Sequence, residues 1–133
     1  MPAAPPPVVP LSVQHAIVRR APALAYVPAR VGFGYRYRHW SFAGSAVRIW
    51  FANRAGKEIV FVAARRARPC TDGREKTFQM AGNKVYWGHR AEEQEAWRCV
   101  NGMKLVGATS LPPDRFADVG LGRLVASGHR LRP

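Results

Sequence analysis

The amino-acid sequence predicts an α+β domain, an antiparallel β-meander of about six or seven strands with a C-terminal helix packed on one face. Three observations predict it. Short runs rich in aromatic and β-branched residues begin after Tyr26, the gaps between them are short, and the last apolar run has mostly helical spacing. The chain of 133 residues has the usual length of one domain, and we expect residues 26–133 to form it.

The predicted strands alternate between apolar and polar residues. They cover residues 35–40, 47–51, 58–63, 77–80, 84–89, 96–100 and 103–109. The Asn101-Gly102 pair is the clearest turn signal, because Asn-Gly supplies the positive φ angles of a type I′ hairpin turn. Gly82-Asn83 is a weaker signal of the same kind. Neighbouring runs are therefore expected to pair as hairpins.

Both ends of the chain have helical signals. Residues 1–25 are predicted to form a proline-rich tail or linker, with a short helix within 11–24 that Pro22 would end. Residues 113–127 are predicted to form the C-terminal helix, with proline in its first turn and glycine after its end. The apolar stripe of this helix must be buried, and one face of the sheet is the available partner.

The composition is globular and strongly basic. Hydrophobic residues make up 47% of the chain, far more than a disordered chain carries, and the net charge is +13. This charge favours anionic partners such as nucleic acid, anionic lipid or a wall polymer. Codon bias in a GC-rich genome is the competing explanation, since 17 of the 21 basic residues are arginine.

Strand parity predicts where the charge lies. Large apolar residues share one parity and would form the core under the helix, among them Trp97 and Cys99. The opposite parity would place arginines between aromatic rings on the open face. The candidate ligand-binding residues there are Arg36, Arg38, Trp40, Arg48, Trp50 and Arg98. Guanidinium groups match phosphate, sulfate and carboxylate and stack on rings. The alternative is a solvated face on which arginine covers tryptophan by cross-strand pairing.

A second basic cluster and one cysteine lie in the connection after the predicted strand 58–63, and the other cysteine lies within the predicted strand 96–100. The cluster is a basic loop of Arg65, Arg66 and Arg68. Cys70 and Cys99 have neither the C-x-x-C spacing of a redox dithiol nor histidines at zinc spacing, which leaves a disulfide or two free thiols. A bridge would close a loop of about 30 residues, and it would indicate an oxidising compartment.

The sequence contains no catalytic signature, and we predict no catalytic residue, metal or cofactor. His89 with Glu92 or Glu93 is the one combination that could support a hydrolase, but a second ligand pair for a metal is missing. A polar connection between strands explains the same segment. No serine lies in a G-x-S-x-G context, and Gly32-Phe33-Gly34 lacks the spacing of a phosphate-binding loop.

From Tyr26 onward the order of motifs resembles the extracytoplasmic domains of unknown function found in bacterial lipoproteins and behind the membrane span of anti-sigma factors. The matching features are Tyr26 and Pro28, then Gly34-Tyr35, Trp97 followed by Asn101-Gly102, and L-P-P-D-R-F leading into a helix that ends in A-S. The high arginine content and the cysteines depart from this pattern. The resemblance implies an extracytoplasmic location and a sensing or ligand-holding role.

Our leading hypothesis is a non-enzymatic extracytoplasmic binding or sensory domain for an anionic polymer, lipid headgroups or an acidic protein surface. No run reaches the roughly 20 apolar residues of a membrane span, so secretion or anchoring would depend on a removed N-terminal segment. An intracellular nucleic-acid-binding protein that uses the arginine and aromatic face is the alternative. A small hydrolase is the third.

Overall fold

A computed structural model of the chain describes residues 7–65, 76–90, 93–109 and 120–132. It confirms the α+β class, with a seven-stranded antiparallel sheet, a two-stranded sheet and a short C-terminal helix. In chain order the elements are α1 (Leu11–Arg20), a 3₁₀ helix (Pro22–Leu24), β1 (Tyr26–Val27), β2 (Arg36–Ala43), β3 (Ala46–Ala52), β4 (Glu58–Arg65), β5 (Lys76–Met80), β6 (Asn83–Arg90), β7 (Glu93–Val100), β8 (Met103–Thr109), α2 (Leu121–Ala126) and β9 (His129–Arg130). The part of the predicted C-terminal helix before residue 120 lies outside the described residues.

All seven predicted runs are strands of the large sheet, and its order is β2-β3-β4-β8-β7-β6-β5. Consecutive strands pair as antiparallel neighbours, as expected from the short gaps, except at one place. There β4 pairs with β8, while β5 forms the far edge of the sheet. Because β4 and β8 both carry nearly continuous apolar residues, their pairing places the most hydrophobic strands at the centre.

Two tight turns adopt left-handed backbone angles. Asn101 and Gly102 have φ angles of 45° and 80°, which confirms the predicted type I′ position between β7 and β8. Between β5 and β6 the turn residues are Ala81 and Gly82, with φ angles of 52° and 79°. This turn lies one residue earlier than the Gly82-Asn83 signal predicts. Ala81 therefore carries a Cβ in a region that favours glycine or asparagine.

The core lies on one face of the large sheet. Its largest fully buried side chains come from the central strands and from both helices, namely Ile17, Ile49, Phe51, Ile59, Phe61, Leu105, Leu121 and Leu124. The helix α2 packs across β6, β7 and β8. The other helix, α1, contributes Ile17 to the same cluster. Both helices thus cover the same face, which we call the helix face, and the opposite face is the open face.

The N-terminal segment joins the C-terminal segment beside the large sheet. Val9 and Ile17 belong to the buried core, so part of the segment predicted to be a tail contributes to it, and α1 confirms the short helix within 11–24. Strand β1 pairs with β9, and the amide of Leu131 donates a hydrogen bond to the carbonyl of Ala25. The hydroxyl oxygen of Ser127 accepts hydrogen bonds from two amides that follow β1.

Candidate functional site

The edge strand β2 contains a β-bulge at Arg38. Tyr37 pairs with Phe51 and His39 pairs with Trp50, so Arg38 lies between two successive pairs and has no cross-strand partner of its own. A bulge adds one residue to a strand, and every side chain beyond it turns to the face opposite to the one that strict alternation predicts.

The bulge changes the placement of Trp40, which we predicted on the open face. That prediction was wrong, because Trp40 pairs with Ile49 and packs against the core on the helix face. The guanidinium carbon of Arg20, at the end of α1, lies 5.2 Å from the centre of the Trp40 ring. His39 takes the place on the open face and stacks on Trp50 with 4.3 Å between ring centres.

The bulge also forms one wall of an open cleft of about 820 Å³ at the sheet edge. The cleft is lined by Phe33, Gly34, Arg36, Tyr37, Arg38, Ala52, Asn53, Arg54 and Ala55. Three of these nine residues are arginines with exposed side chains, and none is acidic. The cleft therefore gathers three positive charges around one opening, and none of its described lining residues carries a carboxylate. We call it the arginine cleft.

Short hydrogen-bonded turns fix both walls of the arginine cleft. On one side the amide of Tyr35 donates to the carbonyl of Gly32 over 3.0 Å. On the other, the side-chain oxygen of Asn53 accepts from the amide of Lys57 over 2.9 Å, and the two residues are also joined by a backbone hydrogen bond of 3.0 Å. Strand β2 thus presents Arg36 and Arg38, and a hydrogen-bonded turn presents Arg54.

Two aromatic residues of the arginine cleft differ in burial. Phe33 is fully exposed, at 101% of its reference area, between two glycines. Tyr37 is half-buried, and burial raises the pKa of its phenol above the ordinary value, so the hydroxyl stays neutral at physiological pH. Our sequence reasoning missed Phe33 and Arg54. The signals were present, since Gly32-Phe33-Gly34 isolates a large apolar residue in a turn and Asn53-Arg54-Ala55-Gly56 forms the next hairpin connection.

Arg48 and Trp50 lie on the open face as predicted, and both are half-buried. They are not part of the arginine cleft. Further across the open face, Trp97 stacks on Tyr86 with 5.9 Å between ring centres. The ammonium of Lys104 lies 5.0 Å from the Trp97 ring centre. The rings of this face are therefore in contact with neighbouring rings and cations, which is the packing expected of a solvated antiparallel face.

The register of β7 is opposite to the one we predicted. Arg98 pairs with Leu105 and faces the helices, whereas Trp97 and Cys99 pair with Val106 and Lys104 on the open face. The predictions of Arg98 as an open-face residue and of Trp97 and Cys99 as core residues were therefore wrong. Trp97 is nonetheless only 8% exposed.

Arg98 binds the C-terminal end of α2. Its Nη1 atom donates to the carbonyl oxygens of Gly128 at 2.9 Å, Ala126 at 3.2 Å and Val125 at 3.4 Å. Burial lowers the pKa of Arg98 below its ordinary value, although the guanidinium remains charged. The last carbonyls of a helix have no partner within the helix and carry partial negative charge, so a cation stabilises them. This arginine serves the fold and is not available to a ligand.

The structure describes only some of the remaining candidates. Arg65 is exposed at the end of β4, while Arg66, Arg68 and Cys70 lie outside the described residues. The polar connection that we predicted after β6 is shorter in the structure, because His89 still belongs to β6 and Glu93 already belongs to β7. Glu92 lies outside the described residues. In the described ranges, no group of three histidine, cysteine or acidic residues could hold a metal ion.

Within the described part of the chain, no helix has the length and apolar character needed to cross a membrane. Comparison with known proteins was made at three levels. No family model matches the chain, and no match was found among curated proteins or solved structures.

Proposed function

We propose that this domain is a non-enzymatic binding module for an anionic ligand and that the arginine cleft is its binding site. The observation that carries the proposal is the meeting of Arg36, Arg38 and Arg54 at one opening that no acidic residue of the described chain lines. Guanidinium groups bind phosphate, sulfate and carboxylate through two parallel hydrogen bonds, and such charge-assisted bonds are stronger than neutral ones.

The electrostatics of the cleft favour an anion with several charges. Three like charges around one opening repel each other, and a multivalent anion relieves this repulsion when it binds. The +13 net charge of the chain attracts the same ligand over longer distances and raises its association rate. Because turns and a paired strand hold the three arginines, little ordering of the backbone has to accompany binding.

An extracytoplasmic location is part of the proposal, together with a disulfide between Cys70 and Cys99. These are the only two cysteines of the chain, and among the described residues there is no free thiol. A bridge of this kind persists in oxidising compartments and is rare in the cytosol. The resemblance to extracytoplasmic domains of lipoproteins and anti-sigma factors supports the same location. Mass spectrometry of the unreduced protein tests it, because two thiols that alkylate freely would contradict the bridge.

Nucleic-acid binding by the open face ranks second. It is favoured by the aromatic rings on that face, since bases stack on exposed rings. However, His39 stacks on Trp50, and Lys104 lies over Trp97. A base would have to displace these neighbours before it could stack, whereas the arginine cleft is open.

Heparin, a soluble sulfated polyanion, is a suitable probe for the arginine cleft. We compare the triple variant Arg36→Gln, Arg38→Gln and Arg54→Gln with a control that carries the same three charge changes at exposed arginines elsewhere. The control positions are Arg19, Arg123 and Arg132.

The cleft variant should bind heparin about a hundredfold more weakly and should lower the slope of log affinity against log salt by about 2–3, as expected for the loss of three contacts. The control variant should lose only a few-fold, because it weakens long-range attraction alone. Equal losses in both variants would show that binding depends on net charge and not on this cleft. An unchanged affinity in the cleft variant would refute the proposal.

A further inference from the structure

We infer that the arginine cleft docks on the surface of an anionic phospholipid bilayer, with the ring of Phe33 inserted at the interface. This inference rests on the proposed function and names the ligand class. It starts from one observation that anion binding does not explain: the most exposed large apolar side chain of the described residues is Phe33, which lies in the lining of the arginine cleft.

The turn that carries Phe33 holds the ring away from the protein. Gly34 has a φ angle of 85°, which glycine adopts without strain, and the amide of Tyr35 closes the turn on the carbonyl of Gly32. Tyr35 itself is only 8% exposed and anchors the end of the turn in the core. The ring is therefore displayed by a turn that is fixed on one side, and its exposure does not result from an unattached chain end.

The neighbourhood of Phe33 matches the chemistry of a membrane interface. An aromatic ring is most stable at the boundary between headgroups and acyl chains, while arginines beside it bind lipid phosphates. Arg36, Arg38 and Arg54 surround the same opening as the ring. A bilayer surface can contact all four side chains at once. Each arginine near an anionic surface strengthens the association about fivefold.

A polynucleotide fits this opening less well. Strand binding without sequence preference uses several rings in succession, one for each base. The arginine cleft offers one free ring, because its second aromatic residue, Tyr37, is half-buried. The other rings of the described residues, such as Trp50 on the open face, lie outside the lining of the cleft. The observations therefore favour a lipid surface.

Vesicle co-sedimentation tests the inference. Vesicles of phosphatidylcholine with phosphatidylglycerol provide the anionic surface, and vesicles of phosphatidylcholine alone provide the neutral one. We compare the unchanged protein with Phe33→Ala, with the arginine triple variant, and with Leu11→Ala. Leu11 is the matched control because it is the other large exposed hydrophobic residue among those the structure describes, at 59%, and lies on α1 away from the cleft lining.

The unchanged protein should bind the anionic vesicles and not the neutral ones. Phe33→Ala should weaken this binding about tenfold, as expected for the loss of one buried ring, and should leave heparin affinity unchanged. Leu11→Ala should change neither. The arginine triple variant should lose both vesicle and heparin binding. Since Phe33 is fully exposed, its substitution should not lower the thermal unfolding temperature, which shows that the variant is folded.

The two proposals can fail separately. If heparin binding depends on the three arginines but Phe33→Ala binds anionic vesicles normally, the membrane inference is overturned while the anion-binding module stands. If Phe33→Ala instead weakens binding to a single-stranded oligonucleotide, the ring stacks on bases and the membrane inference is likewise overturned. If neither heparin nor vesicle binding depends on the arginines, the proposed function fails first.

Discussion

Replacement of Arg98 by methionine should destabilise the domain without affecting the arginine cleft. Methionine keeps much of the side-chain volume but removes the donors that reach the carbonyls at the C-terminal end of α2 and of Gly128. One of these bonds, to Gly128, has the ordinary length of 2.9 Å, whereas the contacts of 3.2 and 3.4 Å are weaker. The carbonyls of Ala126 and Val125 keep donors from the Asn83 amide group and the Gly128 backbone amide, so only the carbonyl of Gly128 is left without one. Loss of this charge-assisted bond and exposure of that unpaired carbonyl together cost about 2–3 kcal/mol in the free energy of unfolding.

For a domain of this size, a loss of 2–3 kcal/mol lowers the melting temperature by roughly 6–12 °C. Circular dichroism during thermal unfolding, supported by urea titration, measures the change. Arg98→Lys should lose less, because it retains the charge but not the planar fork. Arg48→Met removes the same charge from the open face and should stay within about 0.5 kcal/mol of the unchanged protein.

Heparin affinity separates the structural role of Arg98 from a ligand-binding role. Both Arg98→Met and Arg48→Met remove one positive charge outside the arginine cleft, so at a temperature where both are folded they should bind heparin equally. The reasoning is refuted if Arg98→Met melts within about 1 °C of the unchanged protein, or if Arg48→Met loses as much stability.

Three further changes test the packing around the site by thermal unfolding. Ala81→Gly should stabilise the domain by about 0.5–1 kcal/mol, because glycine adopts the φ angle of 52° without the strain of a Cβ; a loss of stability would contradict this. Gly107→Val should destabilise the domain by about 1–3 kcal/mol, since even a Cβ there would lie 3.0 Å from the side chain of Leu124. An unchanged melting temperature would contradict this, because it would mean that α2 moves to make room for the larger side chain. Ser127→Ala should lose about 0.5–1.5 kcal/mol, because the amide of Arg30 loses the oxygen that accepts from it and the amide of Ala29 keeps only its bond to the Ser127 carbonyl, whereas Ser127→Thr should retain most of this stability.

The seven strands could be predicted from the sequence because each run alternates and ends at a turn signal. Those signals are local, and local signals fix the hairpins. The pairing of β4 with β8 could not be predicted in the same way. Residues 58–65 and 103–109 are far apart in the chain, and their pairing depends on the match of two apolar strands across the whole fold.

The faces of β2 and β7 were predicted less well than the strands themselves, for two different reasons. In β2, Tyr37 and Trp40 both pack against the core, although they are three residues apart, and this change of phase is the signal of a bulge. In β7, the apolar side chains of Trp97 and Cys99 indicated the core, but the described register gives that face to Arg98. An arginine is acceptable there only because the end of a distant helix supplies acceptors, which no pattern within β7 reveals.

The edge position of β2 offers a competing explanation for the arginines of the cleft. An unpaired edge strand exposes backbone groups to other chains, and charges or bulges protect against such pairing. Arg36 and Arg38, together with the bulge, fit this explanation. Arg54 and Phe33 do not, since Arg54 comes from the hairpin connection between β3 and β4, and an exposed aromatic ring beside an edge promotes association. Protection of the edge therefore accounts for Arg36 and Arg38, whereas the proposed anionic ligand would also account for Arg54 and Phe33 at the same opening.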